Sequence, residues 1–162
     1  MFDKFGEFDS YEEINRAAKA QLEEGDLEAI KTIAEENGLD PEDAEDFCTG
    51  AIEELTTPCL AAIGKLELEA KDLKLEGALK DWTDSIKQSC MENEEMALAV
   101  RKKGKSLKDC MAMILKKAFG EKTQLDDRIT KAAGLRPPLY ISIPGKAQIK
   151  EIVREYYLGE KK

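Results

Sequence analysis

The run Lys102-Lys103-Gly104-Lys105-Ser106 carries the residue types of a phosphate-binding loop: a glycine, the lysine that follows it, and a hydroxyl. In that chemistry glycine-rich backbone N–H groups cradle phosphate, which requires another glycine five residues before Gly104. Ala99 stands there, and the residues leading in follow a helical pattern, not an apolar strand. What is left is a helix start at Ser106 with Arg101, Lys102, Lys103, Lys105 and Lys108 around it. A helix N-terminus with surplus cation attracts phosphate or carboxylate. These five are therefore the first candidate partner-binding residues, for a nucleic-acid backbone or an acidic protein surface. The plain alternative is a solvated basic turn.

A second candidate surface is acidic: Glu35, Glu36, Asp40, Glu42, Asp43, Glu45 and Asp46. The spacing is not that of a calcium loop, and the required glycine is missing. Carboxylates along helices can imitate a nucleic acid, but helix starts also favour acids for their dipole. No carboxylate pair stands out as an acid–base couple. Histidine is absent, which removes histidine-based triads, metalloprotease chemistry and imidazole metal sites. Cys48, Cys59, Cys90 and Cys110 are widely spaced and fall on or near apolar helical stripes, as reduced core thiols would. The expectation is a non-enzymatic protein with no catalytic residue, no metal site and no cofactor.

The elements that must position these residues read as mainly α-helical. Ser10 with Glu13 forms a capping box, Asp26 caps a second helix, and Asp40-Pro41 opens a third. These make an acidic three-helix front unit over 1–57, followed by a helical unit over 58–162, the two joined as separate domains or as one. From Pro58 to Met91 apolar residues recur every three or four positions, with a break expected near Glu76-Gly77. Trp82 belongs to this stripe and is expected at the core edge. Asn93 and Ser106 cap two further helices, Leu125–Ala133 suggests another, and an amphipathic helix with Ile149, Ile152, Val153, Tyr156 and Tyr157 inward closes the chain. Fraying is expected from Glu160. One small β element is expected near 139–143, where Arg136-Pro137-Pro138 forbids helix. Its backbone needs a partner, either a second extended piece or another subunit.

Charge divides along the chain. Met1–Leu60 holds 18 acids and 4 bases, a balance of −14; the remaining 16 acids and 21 bases give +5. With 36% charged residues, no apolar leader and no long apolar run, a soluble cytoplasmic protein that does not enter membranes is expected.

The back half also resembles a known family. The Glu-Glu-Met-Ala helix start, the Lys105–Cys110 run KSLKDC, the extended YISIP and the terminal Glu155-Tyr156-Tyr157 are similar to the PcfK-like family of mobile-element proteins. Members of that broad group have been identified as inhibitors of the type II CRISPR effector nuclease. The resemblance covers about Met91 to Glu160 and leaves the acidic front outside. It implies an accessory protein of a conjugative or phage-like element that binds and inhibits such a nuclease. The alternative is a nucleic-acid-binding accessory of plasmid transfer; self-association is left open.

Overall fold

The computed structural model describes residues 3–159. The first two residues of the front unit and the expected fraying of Glu160-Lys161-Lys162 lie outside them. Among the described residues the chain forms nine helices and a two-stranded antiparallel sheet. In order these are α1 (Tyr11–Glu24), α2 (Leu27–Glu36), α3 (Pro41–Thr49), α4 (Pro58–Asp72), α5 (Ala78–Glu92), α6 (Glu94–Arg101) and α7 (Leu107–Gly120). Then come β1 (Thr123–Gln124), α8 (Asp127–Ala132), β2 (Tyr140–Ile141) and α9 (Lys146–Leu158). The protein is mainly α, with one small β element.

Local chemistry sets most boundaries. Side chains of Ser10, Asp26, Asp40, Thr57, Asn93 and Ser106 each accept an N–H from the first turn of the helix that follows. Glu13 reaches back one residue past the N-cap, accepting the Asp9 N–H at 2.8 Å and not the Ser10 N–H of the expected box. The long apolar stripe after Pro58 divides between Leu73 and Gly77, where Lys74 and Gly77 both adopt positive φ (51° and 56°).

Two apolar clusters form, and they meet on α4. The front cluster gathers Ile14, Ile30, Ile33, Leu39, Phe47 and Leu55 with Ala61. The back cluster takes the next residue, Ala62, with Leu66, Ile86, Met96, Leu107, Ile114, Ile152 and Tyr157. Trp82 packs partly buried on its edge. Within the back unit α4 lies against α5 and α6, and α9 against α6 and α7.

Close contacts tie the front unit to itself and to α4. Asn15 on α1 and Thr56 before α4 exchange hydrogen bonds, Asn15 Nδ2 to Thr56 O and Thr56 N–H to Asn15 Oδ1, both at 2.9 Å. Where α2 ends, Gly38 touches Gly64 of α4 backbone to backbone. A Cβ on Gly38 would stand 2.5 Å from the Gly64 carbonyl oxygen. Gly64, which weakens the helix by propensity, is thus what permits the crossing.

The β element is smaller than the sequence suggests. Of 139–143 only Tyr140–Ile141 forms strand, with Leu139 accepting the Leu125 N–H at 2.8 Å. Its partner lies within the chain: Gln124 pairs with Tyr140 and Thr123 with Ile141. Prolines at 137, 138 and 144 bracket the segment and supply no donor to extend the ladder.

Candidate functional site

Arg101 closes α6 and points inward; it is 1% exposed. One guanidinium nitrogen, Nη2, donates to Asn37 Oδ1 at 2.8 Å, and Asn37 is the buried C-cap of α2. Burial pulls the guanidinium pKa down, while the carboxylates of Glu7, Glu69, Glu13 and Asp9 favour its charge. Lys65 of α4, also 1% exposed, donates to Glu7 Oε1 at 3.0 Å and to the Lys102 carbonyl at 2.9 Å. The expectation of Arg101 as a partner contact on an exposed turn is corrected here: the side chain is spent joining the two units. Lys65 and Glu7 escaped the sequence reading. The signal for Lys65 was its place one helical turn after Ala61 and next to Leu66 on α4.

The helix start at Ser106 meets an anion inside its own chain. The Leu107 N–H donates to Glu69 Oε2 of α4 at 2.7 Å, and the Ser106 N–H donates to the Tyr156 hydroxyl at 2.9 Å. Lys105 Nζ donates to the Tyr156 carbonyl at 2.7 Å and lies 4.8 Å from that ring's centroid, a cation–π contact. Burial raises the Glu69 pKa, against the lowering effect of the Leu107 N–H and of Lys65. A carboxylate therefore occupies the position that an external phosphate would need.

Of the five basic candidates, Lys102, Lys103 and Lys108 are exposed and Lys105 is half-buried. The Lys103 backbone N–H donates to Asp9 Oδ1 at 2.9 Å, a second tie from the turn to the front unit. The α7 start and the last helix touch each other: Lys105 and Ser106 on Tyr156, Lys117 paired with Glu155, and Tyr157 buried in the core that holds Cys110.

The acidic candidates divide between the end of α2, with Glu35 and Glu36, and α3 with its cap Asp40. Glu36 accepts the N–H groups of Lys4 and Phe5 at 2.6 and 3.1 Å, anchoring the start of the described chain. Asp40 caps α3 through the Glu42 N–H. Glu35, Asp40, Glu42, Glu45 and Asp46 are exposed, while Glu36 and Asp43 are half-buried. Among the described residues, no group of three or more Cys, Asp or Glu is placed to hold a metal ion. No helix among them is long and apolar enough to cross a membrane.

A third surface was not singled out from the sequence. Between α7 and α9 the chain makes an excursion through β1, α8 and β2 in which, from 119 to 143, Thr130 is the sole buried residue. It leaves and returns at one place, since the Gln148 amide of α9 donates to the Glu121 carboxylate. Leu115 and Phe119 at the end of α7 and Ile129, Leu135, Tyr140, Ile141 and Ile143 on the excursion all stand exposed, with Phe119 at 69% and Ile143 at 75%. Its signal in the sequence is the uncharged run Leu139–Ile143, which reads as a strand core until its neighbours are known.

Comparison with protein-family models, with curated proteins and with solved structures finds no match.

Proposed function

We propose that this chain is a non-enzymatic cytoplasmic binding protein whose partner is another protein, docked on the excursion between α7 and α9. One observation carries the reading. Among the described residues, seven of the eleven exposed large apolar side chains lie between 115 and 143. Covering the part of each such side chain that is still exposed stabilises a contact by about 0.5–2 kcal/mol. A two-stranded ribbon is marginal alone, and exposed apolar side chains concentrated in one segment suit an interaction site.

The resemblance of Met91–Glu160 supplies the candidate partner: a type II CRISPR effector nuclease, which an accessory protein of a mobile element would bind and inhibit. The exposed Lys102, Lys103 and Lys108 are the remaining charged contacts of the basic turn, and the open carboxylates of α3 are a second charged face. The nucleic-acid alternative rests on those three lysines.

A guided-cleavage assay tests the reading. Full-length protein should protect target DNA from the nuclease and leave free DNA unshifted. The double variant Ile129→Ser/Ile143→Ser should lose protection while keeping its helical circular dichroism. Cleavage undiminished across several type II effectors would remove the nuclease as partner. Protection unchanged in the variant would remove the surface. A shift of free DNA that disappears when the three lysines are neutralised would favour the nucleic-acid reading.

A further inference from the structure

We infer that the face received by the excursion is an apolar protein surface rimmed with carboxylates; this rests on the reading that the excursion is a docking surface. The first ground is charge. Residues 115–146 contain seven bases and three acids, a balance of +4 in a chain whose net charge is −9. Two of the acids are already engaged. Asp126 takes Arg128 in a two-point ion pair at 3.0 and 2.8 Å, and Glu121 accepts from Gln148. Lys116, Lys122, Lys131 and Arg136 remain exposed in the same segment as the apolar side chains.

The second ground is the kind of apolar group. Ile129, Leu135, Ile141 and Ile143 are aliphatic and branched. Nucleic-acid bases are held by stacking on flat rings, and only Phe119 and Tyr140 offer rings here. Aliphatic side chains gain by leaving water for other apolar surface, which a protein face provides.

The third ground is scale. An anionic bilayer or a nucleic acid is negative over distances that take in the whole molecule, so the −14 carried by residues 1–60 opposes approach. A carboxylate rim acts locally, within about a Debye length of 10 Å. A second copy docked two-fold on the same surface would set +4 against +4, and like charges juxtaposed across an interface are costly.

The test uses full-length protein and a short amphipathic helical peptide with a leucine face flanked by glutamates. A counterpart with lysine at every glutamate position, a single-stranded oligonucleotide and phosphatidylserine vesicles serve as competing probes. The glutamate peptide should bind, and the lysine counterpart should be weaker by roughly tenfold or more. Ile129→Ser/Ile143→Ser should weaken the glutamate peptide by at least that factor, and Lys122→Glu/Arg136→Glu, which brings the segment from +4 to neutral, should abolish the preference between peptides. Absence of glutamate-peptide binding, equal affinity for the two peptides, tighter binding of oligonucleotide or vesicles, or a concentration-dependent dimer abolished by the isoleucine changes would each overturn the inference. Glutamate-peptide binding without nuclease inhibition would drop the nuclease and keep this chemistry. Inhibition without the peptide preference would do the reverse.

Discussion

Gly64→Ala is expected to destabilise the protein although alanine is the better helix former. On propensity alone the change stabilises α4 by about 1 kcal/mol. At this position, however, the new Cβ would lie 2.8 Å from the Gly38 carbonyl oxygen and would run into that of Asn37. Both obstacles are backbone and cannot rotate away, so α2 and α4 must separate by a good fraction of an ångström. Overpacking of this kind costs about 2 kcal/mol. The same movement stretches the 2.8 Å bond from Arg101 to Asn37, whose side chain belongs to the displaced residue. A hydrogen bond to a buried charge contributes about 2 kcal/mol. Setting these losses against the propensity gain leaves a net destabilisation of about 3 kcal/mol. Urea denaturation should show a lower midpoint, and the melting temperature should fall by roughly 6–12 °C for a chain of this size. Gly120→Ala is the control: Gly120 ends α7 with nothing within 4 Å of an added Cβ. It should be neutral or stabilising by about 0.5–1 kcal/mol. If Gly64→Ala matched or exceeded the parent midpoint, the close crossing of α2 and α4 would be refuted.

Three further outcomes follow from the same joint and core. Arg101→Met should lower stability by about 3 kcal/mol, because it removes the cation from a site ringed by carboxylates, whereas Lys103→Met should stay within about 0.5 kcal/mol; paired urea titrations decide it. Native protein at neutral pH should expose two thiols to a maleimide reagent, Cys48 and Cys59. Cys90 and Cys110, whose pKa values burial pushes up to about 12, should label only after unfolding. Glu69 has a folded-state pKa raised by burial, so its stabilising contribution is present in acid and is lost as pH rises through that raised value. Glu69→Gln should therefore gain relative to the parent as pH increases from the ordinary glutamate range toward neutrality, read as the difference in urea midpoints; a constant difference would contradict it.

Much of the fold was legible because it is governed by neighbours in sequence. Ser10, Asp26, Asp40, Asn93 and Ser106 cap the helices that their types and positions announce, since a cap acts within one turn. Apolar spacing of three and four located most of the buried face of α9, where Ile149, Ile152, Val153 and Tyr157 are buried. The functional candidates were less legible, because a charge at a turn reads the same whether it faces water or a carboxylate from elsewhere. Arg101 and Lys108 are both bases beside one helix start, yet the first is buried on Asn37 and the second is exposed.

What local order in the chain dictates here is the set of helices and the −14 and +5 charge division of the two halves. Both follow from residue type and spacing alone. Tertiary structure decided which charges are left for a partner. Packing α4 beneath α6 and α7 brought Glu69 to the α7 start and Lys65 to Glu7, filling from within the site that seemed open to an external anion. It also decided that Leu139–Ile143, which has the composition of a core strand, stands outside both cores. Its ladder partner is only two residues long, and Tyr140, Ile141 and Ile143 are left exposed. Burial depends on what arrives from distant positions, which no local pattern encodes.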